Sequence, residues 1–275
     1  MSGLATARGG GHCAALFAVL VTLLAFNTAV LAQADQPDQP TRVIAATEEQ
    51  PFGLDLVRLA DGGLIKKWRD VQQQTEADMN VVLICAADPL GCTSAPALQF
   101  LALVEQARER DGLARLGETN RSVNMSVRFM SDLAQHGQRD LWSSPLQTIE
   151  AGNGDCEDYA ILKLGALRMA GVKQDDLRLA ILRNIATGDH HAVAVVRIEG
   201  AWRILDNQRL PMLRDWDVTG HRPAFLLDAE NVHAYVDPNI ALTARGTIAA
   251  AAAQSSDTLQ RHADATAANQ SVAVR

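Results

Sequence analysis

The sequence predicts an α+β domain in which a helical N-terminal part packs on an antiparallel sheet. Three observations predict it. The first half carries apolar residues at helical spacing, a lone cysteine opens a helix that is apolar on most faces, and short Val/Ile/Leu runs joined by a hairpin turn follow. A chain of 275 residues, 48% apolar and 21% charged, has room for one sizeable core or two small ones. A net charge of −7, with no Lys/Arg block to neutralise a phosphate track, excludes nucleic acid as the main partner.

The ends read differently from the middle. Arg8 and its neighbouring glycines precede an apolar run over 14–31, broken by Thr22, Asn27 and Thr28 and closed by the small-residue end Val30-Leu31-Ala32. This pattern predicts a signal peptide over residues 1–34, cleaved after Ala32 or Ala34. The run approaches spanning length, so a retained anchor is the open alternative. Residues 35–50, polar with prolines, read as a linker, 51–244 as the folded domain, and 245–275, rich in Ala, Thr, Ser and Gln, as a disordered tail. Cleavage leaves Cys85, Cys92 and Cys156. In an oxidising compartment Cys85 and Cys92 are expected to pair across the turn Pro89-Leu90-Gly91. Cys156 is then a free thiol in an exported protein, which marks it as reactive.

Taken in order, 54–74 reads as helical pieces with Trp68 as a core anchor. Over 96–110, Leu98, Leu101, Leu103 and Val104 fall close to one helical face, and over 120–134 Val123, Val127, Met130 and Leu133 repeat the spacing as core positions. Leu141-Trp142-Ser143-Ser144-Pro145 breaks the pattern. Residues 159–170 form the central helix, with Lys163 and Arg168 read as lying outside and Gly171 as its stop. Residues 177–182 and 192–198 read as strands, Glu199-Gly200 as a hairpin turn and 201–205 as the returning strand. Further helices or loops carry Trp216, Phe225 and Tyr235.

The chemistry concentrates in Asn153-Gly154-Asp155-Cys156-Glu157-Asp158-Tyr159-Ala160. A helix start leaves backbone N–H groups without partners, which favours a thiolate. Taken alone, the octapeptide fits a small buried cysteine in an acidic helix cap better than it fits catalysis. A nucleophile needs a base and a group to orient it. His191, opening the strand 192–198, and Asp206, ending the next strand, are cross-strand neighbours in such a hairpin. Residues 190 and 191 point to opposite faces, and His191 shares its face with Val193 and Val195. The triad logic then favours catalysis over surface or core duty for His191; His136, His221, His233 and His262 keep the structural reading. A Cys/His/Asp zinc site is the metal alternative, without the CxxC or HxxxH spacing that usually marks one.

Trp142-Ser143-Ser144-Pro145, Gly152-Asn153-Gly154-Asp155-Cys156-Glu157-Asp158-Tyr159-Ala160, His191-Ala192-Val193 and Leu205-Asp206-Asn207 together resemble the bacterial transglutaminase-like cysteine proteases, represented by LapG-type periplasmic proteases. The resemblance runs from about Pro51 to Tyr235 and takes in the Cys85/Cys92 pair and Asn120-Arg121-Ser122-Val123-Asn124. It departs at Ala192, where the family commonly has a bulkier residue. It implies a papain-like fold with Cys156 as nucleophile, His191 as base and Asp206 as orienter. It also implies Ca2+ on Asp155, Glu157 and Asp158. Further implications are a periplasmic location, a large surface adhesin cut at paired alanines as substrate, and an inner-membrane cyclic-di-GMP receptor of the LapD type as partner. The acids give the calcium a physical motive. One carboxylate about 7 Å from a thiolate at an effective dielectric of 20 disfavours it by about 2 kcal/mol, more than most helix ends return. A cation would reverse the local sign. A transglutaminase or amidase with the same triad, and a non-catalytic calcium-regulated binding module, are the rival readings.

Overall fold

The computed structural model describes residues 43–44 and 50–236 apart from Arg139. The signal-peptide and tail readings and His262 lie outside the described residues. In chain order the elements are β1 (Val43–Ile44), β2 (Leu56–Arg58), α1 (Gly63–Ala87), α2 (Ala95–Arg108), α3 (Gly112–Ser126), β3 (Arg128–Phe129), α4 (Asp132–His136), α5 (Pro145–Ala151), β4 (Asn153–Gly154) and α6 (Cys156–Met169). Then come β5 (Leu177–Asn184), β6 (His190–Ile198), β7 (Ala201–Leu205), β8 (Leu213–Arg214), β9 (His221–Leu227) and β10 (Val232–Tyr235). Eight strands form one sheet in the order β1-β2-β10-β9-β5-β6-β7-β8, every neighbouring pair antiparallel. The α+β expectation therefore holds: helices precede the main run of strands, and the sheet is antiparallel.

α6 is the axis of the molecule. Its residues are apolar nearly all round, which only a buried helix tolerates. It packs on β6 and β5 and is enclosed by α2, α3 and α5. One core fills the space between helix and sheet with Ile161, Leu167, Leu179, Ala192, Ala194 and Val196. A second lies among the helices around Phe100, Val104, Val123, Leu162 and Ala166. The period of 2 along β6 sends Val193 and Val195 to the other face, where they meet Leu56, Trp202 and Ile204. Burying a side chain such as Leu162 or Leu167 contributes about 2 kcal/mol. Cys85 and Cys92 form a disulfide between the end of α1 and the approach to α2. Among the described residues no helix is long and apolar enough to cross a membrane.

Several local readings change. Residues 54–74 contain a strand, β2, before α1, which then runs on to Ala87; β1, paired with β2, falls inside the stretch read as linker. In α2 the buried face is Ala97, Phe100, Val104 and Ala107, and Leu98 is exposed. The helix expected over 120–134 stops at Ser126, because β3 pairs in parallel with β4: Arg128 N–H donates to Gly152 O at 3.1 Å and Met130 N–H to Gly154 O at 2.9 Å. Long-range pairing overrides the local spacing there, and Leu133 is exposed. Phe225 and Tyr235 stand on strands, β9 and β10, rather than on helices or loops. Lys163, read as outside, is fully buried. It lies two turns along α6 from Cys156, on the same side of the helix, and its ammonium reaches the Leu205 carbonyl at 3.5 Å.

Candidate active site

The turn that carries Cys156 is built from backbone pairing and one buried carboxylate. α5 starts at Pro145 behind the cap residue Ser144, whose N–H donates to Gln147 Oε1 at 3.0 Å, and it ends at Gly152 with φ 65°. β4 follows and is held to β3. Asp158, in the first turn of α6, is fully buried and accepts from the N–H of Ser143 at 2.8 Å and of Asp155 at 3.2 Å. It thus ties the Trp142–Pro145 stretch to the cysteine turn. Gly154 is required here, since a Cβ would stand 2.7 Å from Asp158 Oδ2 and 2.8 Å from its Cβ.

Cys156 is the first residue of α6, half-buried, and the one free cysteine among the described residues. Its thiol donates to Glu157 Oε2 at 3.0 Å. Burial pushes the thiol up, the Glu157 charge adds to this, and the Ala192 N–H facing the sulfur acts the other way. That N–H is available because β7 pairs with β6 only from Ala194 onward, opposite Leu205. The start of β6 therefore has an open edge, and the helix start meets it.

His191 and Asp206 stand beside that edge. Asp206 directly follows β7, and its Oδ1 lies 2.8 Å from His191 Nε2. The same oxygen accepts from Gln208 N–H at 2.9 Å. Burial alone would raise this carboxyl, but the His191 and Gln208 hydrogen bonds, with the charges of His191 and Lys163, outweigh it and hold it below the usual range. Two asparagines one turn apart on α3 fix the loop. Asn124 Nδ2 donates to Asp206 O at 2.9 Å, and Asn120 Nδ2 donates to the carbonyls of Arg209 and Leu210, both at 3.0 Å. Cys156 and His191 line one cleft of about 490 Å³ with Leu64, Trp142, Ala192 and Phe225. A second cavity, about 220 Å³ between α1, α6 and β5, has no thiol or imidazole in its wall.

Acids crowd the other side of the thiol. Donor atoms of Asp155, Cys156 and Glu157 lie within 4.8 Å of one another, as do those of Asp132, Asp155 and Asp158. Asp155 belongs to both groups. Burial first, then the charge of Asp155, pushes Glu157 up to about 8. Burial likewise pushes Asp158 up to about 7, with the Asp155 charge adding to it, and raises Asp155 and Asp132. Asp132 is 3% exposed, and its Oδ1 and that of Asp155 are buried without a hydrogen-bond partner. Among the described residues no Lys or Arg forms a salt bridge with Asp132, Asp155, Glu157 or Asp158. Four converging carboxyls, two of them with an unpartnered buried oxygen and none in a salt bridge with Lys or Arg, fit a hard divalent cation with oxygen ligands.

The structure thus brings Cys156, His191 and Asp206 to one end of the sheet, with Asp155, Glu157 and Asp158 beside the thiol. A thiol and an imidazole lining one cleft, with a carboxylate on the imidazole, can serve as nucleophile, base and orienter of acyl transfer. Sequence reasoning missed Asp132, because an Asp opening a short helix after a serine looks like ordinary capping. It also missed the Ala192 N–H, which depends on where β7 stops.

A family described as bacterial transglutaminase-like cysteine proteinase has a sequence model that matches residues 71–236. Among solved structures, LapG of Legionella pneumophila aligns at TM-score 0.48 and 23% identity over 60% of this chain and 91% of its own. Its EGTA-treated form aligns at 0.48 and 23% over 58% and 86%, and its calcium-bound form at 0.47 and 23% over 57% and 87%. A search of curated proteins finds no match.

Proposed function

Starting from the premise that this chain belongs to the bacterial transglutaminase-like cysteine proteinases and is a cysteine protease, we propose that Cys156, His191 and Asp206 carry its peptide-bond hydrolysis. The carrying observation is the 2.8 Å contact of Asp206 with His191, whose imidazole lines the same cleft as the free thiol. The Cys156 thiol gives its proton to His191, and the sulfur attacks the scissile carbonyl carbon. Charge gathering on the carbonyl oxygen meets N–H groups at the start of α6, including that of Cys156. His191 returns the proton to the amine as the C–N bond breaks, leaving an acyl group on the sulfur. Water, deprotonated by His191, then adds to the thioester, and the thiol departs with its proton restored. Asp206 holds the imidazole in the required tautomer and stabilises its cation.

Asp155, Glu157 and Asp158, joined by Asp132, would hold a calcium ion. When bound, that ion supplies positive charge beside the thiol and fixes the turn that carries it. The unpartnered buried oxygens of Asp132 and Asp155 and the absence of a Lys or Arg salt bridge to the four acids among the described residues support this reading, as does the resemblance to LapG-type proteases. The same resemblance supports an exported, periplasmic enzyme that cuts the N-terminal region of a large surface adhesin at paired alanines, under a cyclic-di-GMP receptor of the LapD type.

The test is mass spectrometry of such an adhesin region after incubation with the protein, with Cys156→Ala, and with excess EGTA. Two fragments, formed only by the wild-type protein and only in calcium, are expected. Cross-linked or deamidated product overturns the hydrolytic reading. Cleavage by Cys156→Ala overturns the nucleophile, and undiminished cleavage in EGTA overturns the calcium requirement.

A further inference from the structure

Lys163 has no part in the chemistry above, yet it is the one buried Lys or Arg among the described residues. Position 163 lies seven residues after Cys156, two helical turns, so both face β6 and β7 from the same side of α6. The side chain is 0% exposed. Its ammonium has one hydrogen-bond acceptor, the carbonyl of Leu205 at 3.5 Å, and rests 5.7 Å from the Tyr159 ring. A lysine buried so completely usually has a carboxylate against it. Lys163 forms no salt bridge among the described residues, and the charge that acts on it is that of Asp206, the residue after Leu205.

Resting on the reading of Cys156, His191 and Asp206 as the triad, we infer that Lys163 is a positioning residue that sets the basicity of His191 through Asp206. It anchors the end of β7 by the Leu205 carbonyl, and its charge offsets part of the Asp206 field felt by the imidazole. The charged groups facing it are Asp206 from the end of β7 and, through it, His191 on β6; on α6 its neighbour is the Tyr159 ring. Burial pushes Lys163 down to about 7 while Asp206 pulls it back up, so the cation persists on the acid side of neutrality. Without it, Asp206 stabilises the imidazolium unopposed. Removing a nearby cation moves the titration of an imidazole toward higher pH, here by about one pH unit.

The experiment is an NMR titration of histidine-labelled full-length protein at fixed calcium, with the His191 signal assigned by its loss in His191→Gln. Lys163→Met keeps the length and apolar stem of the side chain and removes the cost of a buried charge, so folding is retained; Lys163→Gln provides a second neutral variant. In both, the His191 titration is expected about one pH unit above wild type. Asp206→Asn is the control and moves it the opposite way. An unshifted His191 in both neutral variants, with the Asp206→Asn shift present, overturns the role of Lys163 and leaves the triad standing. An unshifted His191 in Asp206→Asn overturns the triad reading itself.

Discussion

The acid cluster makes stability fall as pH rises, a dependence that bound calcium should remove. In the cation-free fold, burial and the neighbouring Asp155 charge hold the Asp158 carboxyl up to about 7, against an ordinary value of 3.8. An acid whose folded value is raised contributes stability at low pH and loses it as pH climbs toward the folded value, because the unfolded chain gives up the proton first. Between pH 5 and pH 8 that loss covers roughly two pH units of proton difference, or about 3 kcal/mol for Asp158 alone. Glu157, raised to about 8, acts in the same direction, but it shares its shift with Asp155, so the two are not summed. A bound cation replaces the proton and removes the penalty. The thermal midpoint should therefore rise on adding calcium by about 6 °C more at pH 8 than at pH 5, taking about 2 °C per kcal/mol for a domain of this size. Differential scanning fluorimetry in 1 mM-scale calcium against EGTA, across that pH range, reads it directly. A calcium increment that is flat or falling with pH refutes the reasoning, and Asp158→Asn should flatten it.

Three further outcomes follow from named contacts. Gly154→Ala sets a methyl against Asp158; it should abolish the calcium-dependent midpoint shift and lower turnover by about 100-fold, the usual cost of a misplaced reacting group, which protease assay and fluorimetry together will show. Asn124→Ala removes the donor to the Asp206 carbonyl and should lower kcat about tenfold with little change in KM, the loss of one hydrogen bond felt at the orienting carboxylate. Replacing Cys85 and Cys92 by serine opens a seven-residue link and should cost about 2.5 kcal/mol, or about 5 °C in the melting curve, with the rate at 25 °C unchanged.

The antiparallel half of the site was legible because its signals are local. His191 opens a Val/Ala run, Glu199-Gly200 turns the chain, and Asp206 closes the return, so alternation and hairpin register alone bring the two side chains together. The free thiol was legible from cysteine arithmetic. Asp132 was not, because it reaches Asp155 and Asp158 only after β3 leaves the helix expected over 120–134 to pair with β4. Lys163 was misplaced for a related reason: a single charge on an apolar helix is ordinarily the exposed one, and only the position of Asp206 at the end of β7 makes the buried side habitable for it. The strands carrying Phe225 and Tyr235 escaped because one contains Pro223 and the other has four residues, too few for a periodic signal.

The pieces sequence reasoning could not assemble are also the ones that settle how the thiol is controlled. Burial, Glu157 and Asp155 all favour the protonated sulfur, and the thiol hydrogen bond goes to Glu157. The Ala192 N–H and the helix start oppose them with groups worth less than full charges. On the function proposed above, a reactive thiolate at neutral pH requires that the charge on the acid side be cancelled, with Asp206 on the other side holding His191 fit to take the proton. The two sides are joined through α6, with the acids in its first turn and Lys163 two turns later beneath Asp206. The acids' charge is felt at the sulfur and the Lys163 charge at Asp206, so the helix that forms the core of the fold also carries charged groups on both sides of the site.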